Sequence, residues 1–380
     1  MKASLILAVV LLTTMAGRAE PFIPTDAAQP LERLRATAFD AGQHELRELR
    51  AHLSLDPTNA TIAAQFARDC IGRYRSEADP RYLGRAQAAL APWWNAAAPP
   101  VSVLVLRASI KQSQHEFTNA LADLDLAVRI DPRNAQAWLT RATVLTVLGD
   151  YAAARRACAP LAQLAPGLIA VTAAANVVCL NGDAESACRI LRSALDGNPS
   201  ASAGEKGWAL TTLAETCERL GRHAEAESYF KNAMSLGQRD PYLLGAYSDF
   251  LLNERRPREV ADLLKNETRA DGLLLRLALA ESKLTPRPQS CDAHIASLQA
   301  RFEAGHLRGD FVHQREEARF QLEILHNAAE ALRLAQANWQ AQHEPADVRL
   351  LVQAARAAGQ PDAAQPAMEF VNKNHLQISL

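Results

Sequence analysis

The chain has 380 residues, with 41 Lys and Arg against 42 Asp and Glu, and its formal charge is -1. This length suits two or three ordinary domains or one long repeat array, and a hydrophobic content of 48% with 22% charged residues argues against disorder. Because there is no basic excess, the sequence predicts no nucleic-acid partner and no attraction to an anionic membrane.

The segment 1–19 has the pattern of a signal peptide. Lys2 precedes an apolar run over 5–12, and Gly17 and Ala19 supply the small residues of a cleavage site. The run is too short to span a bilayer and no second one follows, so no membrane span is predicted. A short buried helix is the alternative interpretation. We therefore expect an exported chain, periplasmic or secreted, that is soluble after signal cleavage.

A period of about 34 residues runs through most of the remaining sequence. In the segment 135–166, counted from Ala135 as position 1, small residues stand at positions 8 and 20, Gly at 15 and Pro at 32. The residues that define this register are Trp138, Ala142, Leu145, Gly149, Tyr151, Ala154 and Pro166. The register recurs in repeats that begin at positions 101, 168 and 207, weakens in the repeat from 241, and returns in the repeat from 345. Such spacing predicts a stack of similar helical hairpins.

This register resembles that of the tetratricopeptide repeat (TPR). The resemblance implies two antiparallel helices per repeat that cross closely, which requires small residues at positions 8 and 20. Gly at position 15 ends the first helix with a left-handed cap, and Pro at position 32 ends the second. One hairpin cannot bury its apolar face alone, so neighbours must stack. We expect an all-α fold, a right-handed α-solenoid (superhelix) of stacked TPR hairpins.

The register varies in strength along the chain, and this variation predicts the organisation. Residues 20–59 suit an atypical N-terminal capping hairpin, and residues 60–270 form the TPR array, in which Arg255 stands where one turn glycine is expected. Residues 271–344 keep helical periodicity without the register, so we expect two degenerate repeats there. Residues 345–380 form a C-terminal TPR and cap. Candidate breaks in the stack are at 96–100, 199–204 and 286–288.

The sequence contains no recognisable catalytic, phosphate-binding or dinucleotide-binding motif. His306, His313 and His326 lie close together in sequence, but no two of the ten histidines are spaced four residues apart as helical metal ligands are. We therefore predict no enzyme, no cofactor and no metal. An enzyme would need a site within the degenerate region 271–344, where these histidines gather.

Four of the six cysteines lie in three consecutive repeats. Cys158 is at position 24 in the second helix of one repeat, and Cys179 is at position 12 in the first helix of the next. Because these helices pack antiparallel in a TPR stack and export permits disulfides, a Cys158–Cys179 bridge is a candidate. The alternative is that buried cysteines replace Ala or Leu in tight helix contacts.

The resemblance also implies a binding site, since TPR arrays commonly hold ligands on the concave surface formed by the first helices. The first-helix positions that face this surface carry hydroxyls, amides and small apolar residues, which suit an extended peptide, and they lack the Lys/Arg/Asn clamp of some TPR domains. The candidate partner-binding residues are Ser109, Gln112, Thr140, Thr143, Asn176, Trp208, Thr211 and Glu215. In the last repeat Arg349, Gln353 and Arg356 share one face. An acidic partner could dock there, or these charges only keep the array soluble.

These features together predict a non-catalytic TPR scaffold that binds another protein or an extended peptide segment through its concave groove in the bacterial periplasm. The alternative is a structural accessory subunit of an envelope assembly or secretion complex, which would form a stoichiometric complex instead of binding peptides. A third hypothesis places an enzyme or a metal site in residues 271–344.

Overall fold

A computed structural model describes residues 41–309 and 312–378. The chain divides into two compact units, residues 1–45 and 46–380. The described part of the first unit is residues 41–45, which open helix α1 (Ala41–Leu55). The predicted signal peptide lies outside the described residues.

The described residues form helices and no strands, and nine helix pairs follow α1. The first helices of the pairs are α2 (Ala60–Glu77), α4 (Val101–Ser113), α6 (Ala135–Val147), α8 (Leu168–Leu180), α10 (Ala203–Arg219), α12 (Pro241–Asn253), α14 (Asp271–Ser282), α16 (Gln314–Glu323) and α18 (Pro345–Ala357). The second helices are α3 (Arg81–Ala89), α5 (Phe117–Ile130), α7 (Tyr151–Leu164), α9 (Ala184–Gly197), α11 (His223–Ser235), α13 (Pro257–Leu264), α15 (Ser290–Leu307), α17 (Ala328–Trp339) and α19 (Gln365–Asn374). The predicted all-α solenoid is confirmed.

From repeat α4/α5 to repeat α12/α13, the turn between the two helices keeps one backbone geometry whether or not glycine occupies it. At Gly149 φ is +75°, and the N–H of Asp150 donates to the carbonyl five residues back at 3.0 Å. Arg255 takes the same place with φ +58°, and the N–H of Arg256 closes the same bond at 2.9 Å. A left-handed φ costs a non-glycine residue on the order of 1 kcal/mol. Packing of the stack therefore imposes this turn even where the sequence does not favour it.

Alanine occupies both crossing positions in four consecutive repeats. The alanines at positions 8 and 20 are Ala108 and Ala120, Ala142 and Ala154, Ala175 and Ala187, and Ala214 and Ala226, and all are buried. A methyl group at each crossing lets the two backbones approach closely, and larger side chains fill the space around it. This is the physical reason for the repeat pattern in the sequence.

The C-terminal helices pack against repeats that are distant in sequence. The N–H of His343 donates to the Val147 carbonyl at 2.8 Å, and the Nδ1 atom of His343 lies 3.0 Å from the Leu148 carbonyl oxygen. The Phe370 ring meets Tyr151 edge-on, with 5.8 Å between the ring centroids. One apolar cluster therefore combines side chains of α6, α7 and α8 with side chains of α16, α17, α18 and α19.

Candidate functional site: the concave surface

Four of the predicted groove residues use their hydroxyls inside their own helices. Ser109, Thr140, Thr143 and Thr211 each donate to the backbone carbonyl four residues earlier, over 2.8–3.0 Å. Three of these side chains are buried, the exception being Thr143. Such bonds satisfy a hydroxyl donor without any ligand. These four hydroxyl hydrogens are therefore committed to the fold.

The remaining predicted groove residues of the regular repeats and of the last repeat differ in exposure. Gln112 and Asn176 are half-buried, and their amides make no side-chain hydrogen bond among the described residues. Trp208 is half-buried and packs beside the apolar cluster that joins α6–α8 to the C-terminal helices. Gln353 and Arg356 are exposed on α18. The amides of Gln112 and Asn176 thus remain open to hydrogen bonding by a ligand.

Glu215 and Tyr242 form a hydrogen-bonded pair that joins the first helices α10 and α12. The Tyr242 hydroxyl donates to Glu215 Oε2 at 2.5 Å. Burial raises the pKa of Glu215 to about 7, against the opposing effects of this hydrogen bond and of the Arg219 charge. Tyr242 nevertheless keeps 51% of its surface exposed. Near neutral pH this carboxyl therefore changes charge next to an accessible phenol.

Arg349 is half-buried on the same surface and has no ion pair or hydrogen bond among the described residues. Burial lowers its pKa, and the charge of neighbouring Arg219 lowers it further. The nearby carboxylates are already engaged: Glu218 accepts from the Asn253 amide at 3.0 Å, and Asp249 binds two other arginines. Arg349 is thus a positive charge without a counter-ion of its own.

Asp249 ties three first helices together at this surface. One carboxylate oxygen binds Arg276 Nη2 at 2.5 Å, and the other binds Arg319 Nη1 at 2.7 Å. Burial by itself would raise the pKa of Asp249, but the charges of the two arginines outweigh it and hold the pKa well below its usual range. The carboxylate stays ionised, and it fixes α12, α14 and α16 relative to one another.

A second ion-pair group holds the start of α18 against α16. Arg315 binds both carboxylate oxygens of Asp347, at 2.6 and 2.9 Å, and also pairs with Glu344. The Asn338 amide donates to the same Asp347 at 2.7 Å. Because Asp347 is buried, these donors are what make its burial tolerable. The helix that carries Arg349 is therefore held rigidly in place.

Part of this polar surface could have been located from the repeat register. In the repeat that begins at Pro241, Tyr242, Asp249 and Asn253 occupy positions 2, 9 and 13, which face the concave surface. The arginines that hold Asp249 come from the degenerate region, where no register assigns positions. Only the folded chain brings them to α12.

A cavity of about 700 Å³ lies between the start of α3 and helices α15, α16 and α17. Its charged and histidine lining residues are Arg81, Asp271, Arg301, His306, Arg308, His313, Glu317 and Arg333. His306 Nε2 lies 2.8 Å from Glu317 Oε2, and Arg301 pairs with Asp271 at 2.8 Å. His326 does not line it. Among the described residues no group of three His, Cys, Asp or Glu side chains could hold a metal ion.

All six cysteines are buried. The Cys158–Cys179 bridge that the spacing suggested stays a prediction. The two residues belong to different apolar clusters, Cys158 with the helices that meet the C-terminal pair and Cys179 with the cluster centred on α10 to α14.

The comparisons with known proteins agree with the repeat pattern. The tetratricopeptide repeat family model matches residues 209–236, which lie in α10 and α11. No curated protein matches the sequence. Together with the nine helix pairs, the family match confirms the resemblance to TPR proteins. No helix in the described ranges is long and apolar enough to cross a membrane.

Several solved structures are similar to this chain. A tetratricopeptide repeat protein from Parabacteroides merdae ATCC 43184 is 15% identical, with a TM-score of 0.43, over 68% of this chain and 91% of its own. A thermophilic TPR protein from Thermus thermophilus is 17% identical, with a TM-score of 0.38, over 56% of this chain and 100% of its own. The APC/C hetero-tetramer Cut9–Hcn1 is 15% identical, with a TM-score of 0.49, over 86% of this chain and 58% of that one.

Proposed function

We propose that this tetratricopeptide-repeat protein is a non-catalytic scaffold that holds an extended, acidic segment of another protein on its concave surface. The TPR fold supports a protein-interaction scaffold in general. The observation that carries the proposal is Arg349, a half-buried guanidinium with no counter-ion among the described residues.

An unpaired charge in a partly buried position is unfavourable until an opposite charge reaches it. The carboxylates of Glu218 and Asp249 raise the pKa of Arg349, but less than burial lowers it, and neither forms an ion pair with Arg349. A carboxylate on a bound segment would lie between Arg349 and Arg219 and relieve their repulsion. Bidentate pairing of this kind favours a carboxylate over a neutral side chain.

The rest of the surface suits the backbone of such a segment. Gln112 and Asn176 have free amide donors and acceptors, which match the N–H and C=O groups of an extended chain. Trp208 and Tyr242 add partly exposed aromatic surface. Charge would then fix the register of the segment, while the amides and aromatic rings would bind it with little sequence preference.

We place this scaffold in the bacterial periplasm, on the signal-peptide pattern of residues 1–19. Mass measurement of the protein recovered from a periplasmic fraction would test this directly. We expect a chain that has lost this segment, and a full-length protein confined to the cytoplasm would contradict the assignment.

The scaffold is tested by capture from envelope extract with the tagged protein, with and without a crosslinker. We expect one envelope protein to be enriched by the wild type, and its capture to fall about tenfold for Arg349→Ala, the loss of one charge-assisted contact. Arg155→Ala is the matched control, because Arg155 is exposed on α7, away from the concave surface. Equal capture by Arg349→Ala and the control would contradict the proposed site.

A structural accessory subunit of an envelope assembly is the second candidate, favoured by the contacts between distant repeats at His343 and Phe370. It predicts a stoichiometric complex that survives Arg349→Ala. The cavity lined by His306 and Glu317 is the observation that favours the third candidate, an enzyme in residues 271–344. A substrate turnover by the wild type that His306→Ala abolishes would establish this third candidate.

A further inference from the structure

Two cysteines that the concave surface does not use lie side by side in the core. Cys188 on α9 and Cys217 on α10 have their sulfur atoms 3.9 Å apart, and both are almost completely buried (1% and 0% exposed). The next polar atom near the pair is Arg222 Nη1, 4.0 Å from Cys188 Sγ. The chain contains no other thiol pair in contact among its described residues.

The pair spans the place where the repeat register is interrupted. The turns at Gly182 and Gly221 are 39 residues apart instead of 33 or 34, and the extra residues fall between Gly197 at the end of α9 and Ala203 at the start of α10. Two repeats joined by a longer connection are held less firmly by the chain itself. A covalent link between α9 and α10 would supply the restraint between the two repeats that the longer connection lacks.

We propose that Cys188 and Cys217 form a disulfide that fastens repeat α8/α9 to repeat α10/α11. The sulfur atoms must approach from 3.9 Å to about 2 Å to form the bond. The link would close a loop between residues that are 29 apart in sequence, which restricts the unfolded chain. The proposed disulfide rests on the export in the proposed function, because structural disulfides persist in oxidising compartments.

The reaction needs an oxidant of the disulfide class, such as oxidised glutathione or a thiol oxidoreductase. The two thiols lose two protons and two electrons and form one S–S bond, while the S–S bond of the oxidant is reduced to two thiols. Burial raises the pKa of the Cys217 thiol to about 12, and the sulfur atoms are closed to a bulky oxidant. The bond therefore forms while the chain folds, before the core closes.

Refolding of the reduced full chain in mixed reduced and oxidised glutathione tests the pair without reference to export. After denaturation and alkylation, we expect four alkyl groups per chain instead of six, a loss of two hydrogen atoms at the bridge between the other two cysteines, and peptides crosslinked through Cys188 and Cys217. Six alkylated cysteines, a glutathione adduct or a crosslink at Cys158 and Cys179 would each overturn the proposal.

Two serine variants provide the matched comparison. Cys217→Ser should remove the crosslink, and Cys179→Ser, a buried cysteine in the same apolar cluster, should retain it. Reduction should lower the Tm of the oxidised wild type by about 5 °C and leave the Tm of Cys217→Ser unchanged. If Cys217→Ser does not fold, peptide mapping of the wild type decides alone. An exported protein with this bridge but without peptide capture would contradict only the scaffold proposal.

Discussion

Two aspartates are each held by two cationic side chains, but over very different lengths of chain. Asp123 on α5 binds Arg107 at 2.6 and 2.8 Å and Lys111 at 2.9 Å, and both partners come from α4 in the same hairpin. Asp249 on α12 binds Arg276 and Arg319, which are 27 and 70 residues away in later repeats. The same kind of ion pair therefore acts within one hairpin at Asp123 and between repeats at Asp249.

The local pair fastens a hairpin, and the distant pair sets the angle between hairpins. Arg107 also donates to the carbonyls of Trp93, Trp94 and Ala96, so it orders the connection between α3 and α4. The Asp123 carboxylate is almost fully buried, whereas the Asp249 side chain is 34% exposed at the concave surface. The Asp123 group thus stays within one hairpin, and the Asp249 group depends on partners in later repeats.

The largest expected effect is at the local pair. Asp123→Asn leaves the charges of Arg107 and Lys111 buried without compensation, and removing one partner of a buried pair costs about 3–5 kcal/mol. Urea unfolding followed by circular dichroism measures this loss. A loss below that of Asp249→Asn would contradict the distinction between local and distant pairs.

A matched pair of glycines separates local strain from distant packing. Gly149 and Gly221 both have φ near +70°, but a Cβ at Gly149 would meet the Phe370 ring at 2.5 Å, while nothing lies within 4 Å of one at Gly221. Gly221→Ala should cost about 1 kcal/mol for backbone strain. Gly149→Ala should cost about 2–4 kcal/mol, because it also displaces the packed ring of α19. Equal unfolding free energies would show that this distant contact is weak.

The distant pair is expected to cost less when broken. Asp249→Asn should lower the free energy of unfolding by about 1–2 kcal/mol, since its charges are partly screened by water. Its effect should shrink in high salt, and the effect of Asp123→Asn should not. The double variant Asp249→Asn/Arg319→Ala checks this assignment, because coupled partners give less than additive losses.

The smallest effect concerns Glu215, whose pKa is raised by burial to about 7 in the folded chain from an ordinary value of 4.5. The folded chain binds this proton more tightly than the unfolded chain does. The stability contributed by protonated Glu215 is therefore fully present below pH 4.5, and it is lost as the pH rises through 7. Glu215→Gln should flatten this dependence and stabilise the protein at pH 8 by about 1 kcal/mol. Unfolding midpoints from pH 4 to 8, with exposed Glu303→Gln as control, test it. Parallel curves for Glu215→Gln and the wild type would contradict the raised pKa.

Much of the fold could be predicted because the repeat constrains each hairpin locally. The close approach of two helices requires small residues at the crossings and a left-handed turn. Both features can be recognised in the sequence of a single repeat. The register alone does not decide whether Cys158 meets Cys179, since the neighbouring cluster to which a side chain points depends on how the whole stack turns. It also could not foresee that Ser109, Thr140, Thr143 and Thr211 bond to their own helices.

The sequence by itself determined the helical hairpins, their order and the apolar stripe that each must bury, because these depend on residues within one repeat of each other. Only the tertiary structure decided which groups meet across repeats: Arg319 at Asp249, Phe370 at the Gly149 turn, and Arg349 beside Arg219 without a counter-ion. The angle between successive hairpins accumulates along the stack, so a small change at each step moves distant residues together or apart. That sum is a property of the folded chain and not of any one repeat.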